Sequence, residues 1–177
     1  MKTKTAYLAL ATVVLLASCG KKQTATAPAA SGPSTAFSSV LNAAPTGEPQ
    51  SIHLIRATAK PGDTITVSGK IMGNDKPFVD GRAAFILGDP QVLTPCNENP
   101  ADKCTTPWDN CCDSPEDKKR GIATIQIIGA DGRVLKEPAA GVGGLANLAT
   151  VIVTGKVAPG SSADLLIINA QAIRSGK

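Results

Sequence analysis

The chain has 177 residues, of which 42% are hydrophobic but only 3% aromatic, and a formal net charge of +4. The length suits one domain, and so few rings leave little on which single-stranded nucleic acid could stack. The charge does not restore that function, because Lys2, Lys4, Lys21 and Lys22 are four of the 18 basic residues while all 14 acidic residues lie at Glu48 or beyond. From Glu48 onward the chain therefore carries 14 charges of each sign and is neutral, so no nucleic-acid partner is expected.

Lys2 and Lys4 open the chain, and an apolar run follows over residues 6–17. That run is far short of the roughly 20 residues that span a bilayer, so it reads as a secretion signal. It ends in Leu16-Ala17-Ser18-Cys19. This ending resembles the lipobox of bacterial lipoproteins, a Leu and two small residues before the acceptor Cys. The resemblance implies a signal peptide over 1–18, cleavage before Cys19, and a lipid on Cys19 as the new N-terminus. It further implies a cell-envelope location, anchored to a membrane through that lipid and facing the periplasm or exterior. Gly20 rather than Asp follows, which in some bacteria of that family favours the outer membrane. Residues 19–50 are rich in Ala, Thr, Ser, Pro and Gly and read as anchor and flexible linker, within which Phe37 to Leu41 could dock onto the domain or form a helical turn.

The domain is expected over 51–177. Residues 51–58 (SIHLIRAT) read as a first strand or a lead-in to one, and the turn signal Lys60-Pro61-Gly62-Asp63 ends it. Residues 64–73 alternate Ile65, Val67 and Ile71 with polar partners, with Gly69 placed where a strand must bend or bulge. Further strands are predicted over 83–87, 122–128, 149–157 and 164–173. A hairpin signal lies at 130–133, one or two helical turns at 141–148, and a turn at Pro159-Gly160. No long segment has a 3.6-residue period, so the fold is mainly β.

Three strands, a short helix and two strands is the order of the OB-fold, a five-stranded barrel. Val67-Ser68-Gly69-Lys70-Ile71 and Val153-Thr154-Gly155-Lys156-Val157 resemble the V-x-G-K-V phrase of its first and fourth strands, and Ile168-Asn169-Ala170 resembles its closing strand. The fold expected is thus a small OB-like barrel with a Cys-rich insertion, residues 90–120, between its second and third strands. Within the insertion, Thr106 to Cys112 resembles a Thr-Pro-Trp-Asp-x-Cys-Cys segment of uncharacterised secreted bacterial proteins. That resemblance implies no activity.

The insertion holds Cys96, Cys104, Cys111 and Cys112. With Cys19 set aside, an even number of cysteines in an exported chain favours disulfides. Cys96 and Cys104 are expected to pair with Cys111 and Cys112, one each, since Cα atoms about 3.8 Å apart are too close for a Cys111–Cys112 bridge. Without bridges, a proline-rich insertion of this length is expected to be disordered. Trp108 would cover the bridges and Asp109 would cap a turn. Four thiolates could instead bind zinc, although the C-x7-C-x6-C-C spacing matches no common zinc motif, and reactive thiols are a third reading.

His53, the only histidine, reads as a half-exposed strand residue with no Ser or Cys tied to it by spacing. Asp63, Asp80, Asp131 and Asp164 fall in turn signals. Gly141-Val142-Gly143-Gly144 lacks the Lys-Ser/Thr that a P-loop needs and reads as a turn. The function expected is a non-catalytic binding or structural module of the envelope, without a cofactor, whose partners are the membrane and an envelope ligand or protein. The alternative is metal binding or thiol redox chemistry through the loop from Cys96 to Cys112. Hydrolysis of envelope polymers would require His53 and two carboxylates in a strand-face cleft.

Overall fold

The computed structural model describes residues 32–99 and 103–176. The expected signal segment and Cys19 lie outside the described residues. Among those described, Thr64–Ile71 (β2), Ala84–Gly88 (β3), Ile122–Gln126 (β4), Thr150–Val157 (β5) and Leu166–Ser175 (β6) form one sheet in the order β2-β3-β4-β6-β5, and β5 returns to pair with β2. The result is a closed five-stranded barrel. All its neighbours are antiparallel except β4 and β6, which run parallel. Gln50–Ser51 (β1) is one extra strand of the same sheet, paired parallel to β2 at Val67 and Ser68.

Period-two side chains build the core. Val67 and Ile71 of β2, Phe85 and Leu87 of β3, Ile125 of β4, Val153 of β5 and Ile168 of β6 are all buried in one cluster. Closure requires two close backbone approaches. A Cβ on Gly69 would lie 2.7 Å from the Gly88 carbonyl oxygen, and one on Gly155 only 2.4 Å from that of Asn169. Gly69 immediately precedes the residues at which β2, still paired with β5 through Lys70, also pairs with β3, and Gly155 marks a register shift between β5 and β6. The hairpin signal at 130–133 is realised, with Ile128 bridged to Val134 and Gly132 in the left-handed region at φ 74°.

The helical content differs from the expectation in four places. Residues 51–58 are not a strand. Pairing ends at Ser51 and Ile52–Arg56 (α2) is helical, because Ile52 and Ile55, three apart, both turn inward while Leu54 is 60% exposed. Within the insertion, Pro115–Gly121 (α3) forms a helix with the Ser114 hydroxyl accepting the Asp117 amide, Pro at its start, acids in its first turn and bases in its last. Residues 141–148 form only one 3-10 turn, Val142–Gly144. The segment read as linker supplies a helix in its place. Thr35–Asn42 (α1) buries Phe37 completely in the barrel core, and Leu41 packs where a side chain on Gly143 would otherwise be.

The rest of that segment is also held. Thr46 donates its amide to the Thr154 hydroxyl (2.9 Å), and its carbonyl accepts hydrogen bonds from the hydroxyls of both Thr66 and Thr154. These contacts satisfy two buried hydroxyls of β2 and β5 that would otherwise weaken the barrel wall.

Candidate functional site

The insertion is ordered by backbone hydrogen bonds between its own arms. The Cys96 amide donates to the Asp109 carbonyl (2.7 Å), the Asn97 amide to Pro107 (2.9 Å), and the Thr94 amide to the Asp113 carboxylate (2.9 Å). Trp108 fastens the loop to the barrel, its indole N–H donating to the Asp75 carbonyl (2.9 Å) and its carbonyl accepting the Gly73 amide (3.2 Å). Trp108 thus tethers the loop. Asp109 accepts the Asn110 amide on its side chain (2.7 Å).

This scaffold gathers the cysteines without the expected disulfides. The Cys96 and Cys111 sulfurs are 3.6 Å apart and those of Cys111 and Cys112 3.8 Å, against about 2.05 Å for a disulfide. The physical reason is convergence: the sulfurs of Cys96, Cys104 and Cys111 all lie within 4.8 Å of one another, a gathered trio rather than two separate pairs. The described arms of the loop meet through these hydrogen bonds without a covalent bridge.

Cys104 is partly buried, and its sulfur lies 3.1 Å from the Thr106 hydroxyl. That hydroxyl and then the Thr106 amide hold its pKa below the ordinary thiol value. The Cys96 and Cys111 thiols add to the effect and desolvation opposes it. Beside Cys111, the Asn110 side chain is 1% exposed, and neither its amide nitrogen nor its oxygen has a hydrogen-bond partner among the described residues. The Lys118 ammonium donates to the Cys111 carbonyl (3.0 Å).

His53 lies on α2, where sequence reasoning had no partner for it. Its Nδ1 is 2.8 Å from Oδ2 of Asp89, a buried carboxylate that also accepts the amides of His53 (3.0 Å) and Gln91 (2.9 Å). Asp89 therefore caps α2 and the turn after β3 at once, and the pair reads as a brace. Among the described residues, Asp89 is the one carboxylate hydrogen-bonded to His53, not the pair that a hydrolytic centre would need. Nearby, Arg56 donates to the carbonyls of Ile122 and Ala163, and its burial lowers its pKa while Asp164 opposes that shift. Gly141, Gly143 and Gly144 have positive φ and make a turn packed against α1.

A groove of about 850 Å³ runs over the outer face of β3 and β4. Its floor includes Ala84, Thr124 and Gln126, and its walls come from Val79 and Arg82 before β3 and from the hairpin at 131–136. Arg82, Arg133 and Lys136 are exposed on its rim with one acid, Asp131, and Val79 is 45% exposed. Gln126 is held in place by donating from Nε2 to the Asn169 side-chain oxygen (2.6 Å). Phe85 is fully buried and no aromatic residue lines the groove. Sequence reasoning missed this site, since its residues come from segments that meet only through the barrel.

No family, no curated protein and no solved structure matches the chain, so no enzyme family is among its matches. No helix among the described residues is long and apolar enough to cross a membrane.

Proposed function

We propose that this protein is a lipid-anchored, non-catalytic binding module of the cell envelope whose barrel groove takes an anionic envelope ligand. The groove over β3 and β4 carries this reading. Barrels of this connectivity use the same strand face and the flanking loops for oligosaccharides and oligonucleotides. Here three cations and one acid on the rim favour a carboxylate- or phosphate-bearing ligand. The missing aromatic floor disfavours stacked bases. Thr124, Gln126 and Asp131 supply hydrogen-bonding groups of the kind hydroxyl-rich polymers need. The test is co-sedimentation of the full chain with delipidated cell envelopes. Replacing Arg82 and Arg133 together with alanine is expected to weaken retention about tenfold or more, on the order of 1.4 kcal/mol or above. Retention equal to that of the unaltered chain would refute the groove as the binding surface.

Anchoring rests on the Leu16-Ala17-Ser18-Cys19 ending. One acyl chain holds a protein only marginally, whereas a multiply acylated cysteine makes attachment stable. Cys19→Ser is expected either to leave the signal uncut or to move the protein from the membrane fraction to the soluble one. Cleaved, still membrane-bound Cys19→Ser protein would rule the anchor out.

A further inference from the structure

We infer that Cys96, Cys104 and Cys111 form a three-thiolate binding site for a soft d10 cation, Zn2+ or Cu+. The inference is independent of the groove and rests on the spacing of the sulfurs. Two thiolates bound to one zinc at about 2.3 Å with a tetrahedral angle stand about 3.8 Å apart. Cys96 and Cys111 are at 3.6 Å, and the Cys104 sulfur lies within 4.8 Å of both. Binding therefore asks Cys104 to approach by at most about an ångström while the other two stay where they are. A disulfide would instead require one pair to close by more than that and leave the third sulfur behind.

The surroundings fit a charged thiolate centre. The Asn110 amide is buried next to Cys111 without a hydrogen-bond partner among the described residues, an arrangement that native structures rarely leave unexplained. Thiolates on a metal accept N–H and O–H donors from an outer shell that orients them, and the Thr106 hydroxyl, 3.1 Å from the Cys104 sulfur, is such a donor in place. Lys118, bonded to the Cys111 carbonyl, brings a cation to the same segment. Sulfur donors select zinc and cuprous ions over magnesium, calcium or manganese. Cys112 does not share the 4.8 Å distance with all three and is left outside the set. Loading releases the thiol protons of the three ligands to solvent as the metal–sulfur bonds form.

The experiment uses the full chain in detergent, reduced and then freed of reductant without oxygen, and titrated with Co2+ as a spectroscopic stand-in. One cation per chain with sulfur-to-cobalt charge-transfer absorption is expected. Competition with Zn2+ and with Cu+ shows which cation the site prefers. Cys96→Ser, Cys104→Ser and Cys111→Ser are each expected to weaken binding about tenfold or more, and Cys112→Ser to leave it unchanged. Far-ultraviolet circular dichroism of each variant separates a lost ligand from a lost fold. Three results would overturn the site: no charge-transfer band in the folded, reduced chain; a Cys112→Ser loss as large as the others; or a Cys96–Cys111 disulfide in chain isolated from cells without reductant.

Discussion

Gly155→Ala is expected to destabilise the domain by about 3 kcal/mol or more, among the largest effects of any single methyl group. The added carbon would sit 2.4 Å from the Asn169 carbonyl oxygen and 2.7 Å from Cγ2 of Ile168, both on β6. Backbone cannot swing aside as a flexible side chain could, so β5 and β6 must separate or the register shift at Thr154 and Gly155 must move. Moving it by one residue would turn β5 side chains from the core to the other face. Because β5 also pairs with β2 from Thr150 to Lys156, the strain falls on the strand that closes the barrel. Gly160→Ala is the control, since its Cβ would have only Ile167 Cδ1 nearby, at 3.7 Å. Urea unfolding followed by far-ultraviolet circular dichroism measures both. A Gly155→Ala midpoint matching the control would mean that the two strands do not meet so closely there.

The barrel was legible because its signals are local. Alternating Ile65, Val67 and Ile71 with a glycine at 69, and the repeated Val-x-Gly-Lys phrase, specify strands that bend at a stated residue. The observed strands fall within two residues of those expected at nearly every end. The short helices were less legible for separate reasons. In α2 the inward pair Ile52 and Ile55 is too brief a period to outweigh the β-branched composition, and its N-terminal cap, Asp89, comes from far along the chain. The signals of α3, Ser114-Pro115 followed by acids and then bases, were present but lay inside a stretch whose cysteines suggested an irregular loop.

The cysteine cluster was half legible. Composition singles out Cys96, Cys104, Cys111 and Cys112, but their geometry depends on pairings that no local pattern encodes: Cys96 with Asp109, Asn97 with Pro107 and Trp108 with Asp75. Counting an even number of thiols in an exported chain points to bridges, whereas three sulfurs gathered within 4.8 Å of one another are an arrangement that counting cannot distinguish. The groove was illegible for the same reason. Arg82, Gln126 and Arg133 become neighbours only when β3 and β4 pair and the hairpin folds beside them.

Phe37→Ala is expected to cost roughly 3 to 5 kcal/mol, the range for removing a fully buried phenylalanine. Phe37 has no exposed surface and belongs to the same cluster as Ile173 and Leu145, although it stands well ahead of the first barrel strand, in a region whose composition suggests a linker. Its helix is fixed from both sides. The Ser34 side chain accepts the Phe37 amide (3.2 Å), while the Ser34 amide and hydroxyl donate to the Glu137 carboxylate (2.9 and 2.5 Å). An eight-residue helix is marginal by itself, so its order must come from docking, and removing the ring should undock it and open the core it fills. Unfolding in urea should therefore shift to lower denaturant, and amide exchange over 35–42 should accelerate relative to the rest of the domain. Val40 and Leu41, only partly buried, are expected to matter less. If Phe37→Ala unfolded at the same urea concentration as the unaltered chain, the domain would begin at β1 and the helix would be an accessory to it.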